Sequence, residues 1–112
     1  MLKSEKINNR AVVSFDIITR LNAVIAEPVK EELKSYLNEP HSKLILNLEG
    51  VKFIDSTGFS VFLSIKKAAS NNNCQFKICN VSQDIMKLFD LLQLNYVFEI
   101  YNSLDECLKS FK

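Results

Sequence analysis

The sequence predicts a single α/β domain: a mixed, mostly parallel sheet of four to five strands flanked by about four helices. Two observations carry this. After residue 20, apolar runs of strand length alternate with helix-period patterns, in the order helix, strand, helix, strand, helix, strand, helix. That alternation requires crossover connections and hence parallel pairing, with an antiparallel piece allowed near the N-terminus. The chain is also 47% hydrophobic, enough for one packed core, and holds only 2 Gly and 2 Pro, so little of it is loop. One domain is expected over residues 1–112, with its core at about 10–111.

The elements follow in order. Ile7 and the stretch from Arg10 to Ile18 supply one or two extended segments, with Ala11, Val12, Val13, Phe15 and Ile17 as apolar positions. Pro28 suits the first turn of a helix whose apolar face is Val29, Leu33, Tyr36 and Leu37, ended by Glu39-Pro40-His41. Lys43 to Leu48 is a buried strand, and Glu49-Gly50 turns away from it. A second helix runs from about Thr57 to Ser70 and breaks at Asn71-Asn72-Asn73. Gln75 to Cys79 is a short strand. Ser82 caps a third helix with Ile85, Met86, Phe89 and Leu92 on one side. Tyr96 to Ile100 is the last strand, and Ser103-Leu104-Asp105-Glu106 is a capping box for a short final helix.

Composition excludes several classes. A formal net charge of +1 and no dense basic segment give no bulk attraction to nucleic acid or to a membrane surface. The polar stretch Met1 to Arg10 lacks the apolar core of a signal peptide, and no apolar run reaches the ~18 residues of a membrane span. Cys74, Cys79 and Cys107 are odd in number and form no CxxC pair, and the single His41 is remote in sequence. This suits buried reduced thiols in a cytoplasmic protein rather than zinc or a disulfide framework.

One segment stands apart: Phe53-Ile54-Asp55-Ser56-Thr57-Gly58-Phe59. It follows the strand-like run Leu44 to Leu48 and opens a helix. An acidic residue and two hydroxyls therefore sit at a helix N-terminus, where unpaired N–H groups and the positive dipole end favour a phosphate. The loop is too short for a phosphate-wrapping P-loop and has no Lys. Ser56 here is either a helix cap or a phosphoryl acceptor, and the two roles are compatible. Thr57 is a cap or a second acceptor. Asp55 caps the helix, orients Ser56, or helps a kinase read the site. Gly58 permits close packing or an unusual backbone angle.

Residues 58 to 69 at about 100° per residue separate into two faces. Gly58, Val61, Phe62, Ile65, Ala68 and Ala69 form the core stripe, while Ser56, Phe59, Ser60, Leu63 and Lys67 fall on the other side. Phe59 and Leu63 are either covered by a neighbouring element or form an exposed patch for a protein partner, with Ser56 at its edge.

These residues resemble the STAS domain family of anti-sigma-factor antagonists from about residue 10 to Phe111. The carriers are Leu44 to Val51, Phe53 to Phe59, Cys79-Asn80-Val81-Ser82, Leu88-Phe89, Leu94 and Val97 to Tyr101. The resemblance implies a STAS-like mixed sheet flanked by helices, no catalysis, no cofactor and no metal. It implies partner switching: the unphosphorylated antagonist binds an anti-sigma factor that is also a serine/threonine kinase. That kinase phosphorylates the serine after the Asp, here Ser56, and a PP2C-type phosphatase reverses it. Asn22, Asp55, Thr57, Gly58, Phe59, Ser60, Leu63 and Lys67 are then the partner-binding residues, in a cytoplasmic monomer or weak dimer. Two departures stand out. The family's usual Asp in a Leu-Asp-Ala-like segment is Asn22 in Leu21-Asn22-Ala23, and a glycine common a few residues earlier is missing from Ile17-Ile18-Thr19-Arg20. Both concern kinase recognition rather than the fold. The alternatives are a STAS scaffold subunit of a transport or signalling complex, with Ser56 unmodified, and a small enzyme, against which the lack of a glycine-rich phosphate loop or activated nucleophile argues.

Overall fold

In the computed structural model, which describes residues 2–111, the chain folds around a five-stranded sheet of order β1-β2-β4-β6-β7. β1 (Leu2–Ile7) and β2 (Arg10–Phe15) are an antiparallel hairpin. Its turn is Asn8-Asn9, with φ of 50° and 69°; two left-handed residues match the twist of a tight hairpin, and Asn tolerates that conformation. The remaining pairs, β2 with β4 (Lys43–Asn47), β4 with β6 (Gln75–Cys79) and β6 with β7 (Glu99–Tyr101), are parallel. β4 is central, and Leu44 to Leu48 are all buried, as an apolar run covered on both faces should be.

Side-chain alternation divides the core. Val13, Phe15, Leu44, Leu46, Phe76 and Ile78 face one layer, built by α1 (Ala23–Ser35), α2 (Ser56–Asn71) and α3 (Gln83–Leu91). Val12, Ile45 and Cys79 point the other way, toward Cys107 of α4 (Leu104–Lys109) and Phe111. Beneath α4 the buried Lys77 donates from Nζ to Ser110 Oγ (2.8 Å), lies 3.6 Å from the Glu99 carboxylate and sits 4.2 Å from the Phe111 ring centre. Hydrogen bonding to Cys107, with burial, holds the Cys79 thiol well above its usual pKa.

Three elements depart from expectation. α1 begins at Ala23, not at Pro28, because the Asn22 side chain caps it by accepting from Val24 N (3.1 Å). The exposed Pro28 therefore lies inside α1, as its sixth residue, where its missing N–H takes one bond from the ladder. The last strand starts at Glu99 rather than Tyr96, since Leu94–Tyr96 form a 3₁₀ turn whose Leu94 carbonyl accepts from Val97 and Phe98. Finally, β3 (Arg20–Leu21) and β5 (Phe53–Ile54) pair in parallel as a separate two-residue ladder, too short to show any periodicity.

Candidate functional site

That small ladder builds the site. It pairs Leu21 with Ile54, so the next residues, Asn22 and Asp55, emerge together. Each is the N-cap of the helix that follows, α1 and α2 respectively. Asp55 serves both helices: Oδ1 accepts from Gly58 N (2.9 Å) and Oδ2 from Ala23 N (3.3 Å). One carboxylate thus satisfies an orphan donor on each of two helix termini, at the positive end of both dipoles. Gly58 makes the approach feasible. A Cβ there would lie 2.6 Å from Ile54 Cγ2 and 2.8 Å from the Leu21 carbonyl oxygen. Of the two explanations for Gly58, close packing is the one the structure shows.

Ser56 is the first residue of α2 and is exposed. At α3 and α4 serines do the capping: Ser82 Oγ accepts from Ile85 N, and Ser103 Oγ from Glu106 N. At α2 the adjacent Asp55 takes that role, so the Ser56 hydroxyl is released from it. The Ser56 carbonyl accepts from Ser60 Oγ (3.0 Å), as part of the helix surface. Thr57 is half-buried beside it. Ser56, Ser60, Leu63 and Lys67 recur at helical spacing and are all exposed, forming one stripe along α2, with Leu63 44% accessible.

Phe59 does not belong to that stripe. It is 5% exposed, and its ring meets Phe89 of α3 edge-to-face at 5.1 Å and Phe62 at 6.1 Å. The anticipated patch of Phe59 and Leu63 is therefore Leu63 alone: α3 covers the flank of α2 that a helical wheel assigns to solvent. Apolar residues at the same corner went unnoticed in the sequence. Val24, on the first turn of α1, is 84% exposed, and Phe53, on β5, is 43% exposed with the Arg20 guanidinium 5.2 Å from its ring centre. The available signal was the repeated aliphatic-Asx pair before a helix, Leu21-Asn22 and Ile54-Asp55, which marks two capped helix termini.

This geometry can be set beside known proteins. Residues 3–107 match the family model of the STAS domain. The chain belongs to the STAS domain family. It is similar to the anti-sigma-B factor antagonist of Listeria monocytogenes, 29% identical over 101 residues that cover 88% of this chain and 89% of that protein. The fold matches an anti-sigma-factor antagonist (STAS) domain protein from Planctomyces limnophilus at a TM-score of 0.89 and 20% identity, covering 97% of this chain and 96% of that one. It also matches the Bacillus cell fate determinant SpoIIAA in its phosphorylated form, at a TM-score of 0.68 and 16% identity with 97% of each chain covered. No helix among the described residues is long and apolar enough to cross a membrane.

Proposed function

We infer that the protein is an anti-sigma factor antagonist that works by partner switching, with Ser56 as the phosphorylated residue. In the unphosphorylated form it binds an anti-sigma factor serine/threonine kinase through the Ser56, Ser60, Leu63 and Lys67 stripe and the Asn22–Asp55 corner. The kinase transfers phosphate to Ser56, the complex separates, and a PP2C-type phosphatase resets the chain. The action takes place in the cytoplasm, with the chain as a monomer or weak dimer. It is a substrate and a switch, not an enzyme.

The observation that carries this reading is the hydroxyl of Ser56, exposed at a helix N-terminus whose capping is done by its neighbour. A phosphoserine brings about −1.5 to −2 charges. Placed at the start of α2, that charge meets the favourable end of the helix dipole, so the fold tolerates it. It also stands next to the Asp55 carboxylate and at the end of the exposed stripe. A contact surface that docks on the neutral hydroxyl is then opposed by charge and desolvation, with no need for the domain to unfold. The family name of the Listeria relative and the phosphorylated state described for SpoIIAA support the same assignment.

The test uses the cognate kinase bound to ATP. Ser56→Ala is expected to bind it as the wild type does and to accept no phosphate. Ser56→Asp is expected to bind more weakly, though a single charge imitates phosphate incompletely. Equal binding by wild type and both variants, measured by calorimetric titration, would remove Ser56 from the interface.

A further inference from the structure

We propose that Ile17 is a specificity-determining residue of the partner-binding surface, seated in an apolar pocket of the kinase that reads Ser56. This rests on the partner-switching reading and names a contact that the reading alone does not contain. Ile17 has a φ of 71°, in the left-handed region. Among the described residues, the other non-glycine residues with positive φ are Asn8, Asn9, His41, Asn73, Asn80 and Gln93, all of them polar. A β-branched residue is the least suited to that conformation, because its branched Cβ crowds the following carbonyl. Burial does not compensate for the strain, since Ile17 is 93% exposed.

The cause of the conformation is local. Phe15 is buried at the end of β2, and Ile18 packs against the main core. The Thr19 carbonyl accepts from Lys52 N (2.8 Å) and Phe53 N (3.2 Å), which fastens the loop to the segment leading into Asp55. Between these anchors the chain bends, and Ile17 is turned outward. A glycine would make the same bend without strain and without an exposed side chain. Inside the monomer, then, isoleucine brings strain and no packing.

What it can supply lies outside the monomer. Its loop is tied to the strand that presents Asp55 and Ser56. Other exposed apolar side chains of that corner are Val24, one residue past the Ala23 N–H that Asp55 holds, and Phe53. Ile17 thereby adds an exposed apolar group on the loop that is hydrogen-bonded to the segment leading into Asp55 and Ser56. Apolar anchors discriminate between partners with and without a matching pocket.

The experiment measures melting temperature and affinity for wild type, Ile17→Gly and Ser56→Asp, against each purified, ATP-bound anti-sigma factor kinase of the source organism. Ile17→Gly is expected to melt at or above the wild-type temperature. It is expected to bind the preferred kinase about tenfold more weakly, the scale of losing one interface anchor, and so to narrow the preference over the others. Wild-type affinity and preference in Ile17→Gly, with Ser56→Asp weakened, overturns this assignment and leaves the reading of Ser56 standing. A melting temperature several degrees below wild type makes Ile17 structural and also overturns it. No effect from either substitution, or no kinase bound by the wild type, overturns the reading of Ser56 and this assignment together.

Discussion

Asp55 is the residue on which the site turns, because its two oxygens answer to two helices. Gly58 N and Ala23 N both donate to it, so removing the carboxylate leaves an uncapped donor on α2 and another on α1. Losing one such cap costs about 1 kcal/mol. Asp55→Ala is therefore expected to destabilise the domain by about 1–2 kcal/mol, read as a lower urea midpoint with an unchanged slope. Ser56→Ala should leave the midpoint close to wild type, since the Ser56 side chain does not cap the helix. The reverse ranking would mean that Ser56, not Asp55, holds the helix start. The sequence placed both residues at this turn but could not divide the labour between them. Asp and Ser are equally good caps, and which one sits at the N-cap depends on where β5 ends. That end is set by two ladder pairs with β3, Arg20 to Phe53 and Leu21 to Ile54, far apart in the chain and too few to leave a pattern.

At the scale of the element, α2 shows what helical periodicity can and cannot reveal. Of the core stripe, Gly58, Val61, Phe62, Ile65 and Ala69 are buried as the wheel placed them and Ala68 is half-buried, while Ser56, Ser60, Leu63 and Lys67 are exposed as placed. Phe59 fails because a wheel measures one helix against one surface. In the fold, α2 is bounded by the sheet below and by α3 at its side, and Phe89 of α3 closes over Phe59. The two apolar residues once grouped together should therefore part company. Phe59→Ala is expected to destabilise by about 3–5 kcal/mol, in the range for a buried aromatic. Leu63→Ala should stay within about 0.5 kcal/mol of wild type in denaturant titration while weakening kinase binding. Similar stability losses in both would place Leu63 in the core and remove it from the proposed interface. The helix before it gives the complementary lesson. Pro28 drew the predicted start of α1 toward itself, yet the stronger local signal was Asn22, whose side chain caps the helix six residues before the proline.

At the scale of the whole molecule, the strand and helix alternation was sufficient for the architecture, because parallel pairing and crossover helices leave few ways to arrange these elements. The sheet order, the hairpin closed by Asn8-Asn9 and the single helix on the second face are consistent with that alternation but depend on long-range pairing. The same long-range pairing brings Asn22 and Asp55 side by side and converts a strand-to-helix turn into a two-helix corner with Ser56 at its edge. We propose this corner as a phosphorylation switch. It is tested most directly by mapping phosphate, by peptide mass spectrometry, on protein isolated from its native host under several growth conditions. Phosphate is expected on Ser56 in some conditions and not in others. Full coverage of the segment around Ser56 with no phosphate in any condition, or phosphate confined to other residues, would contradict it.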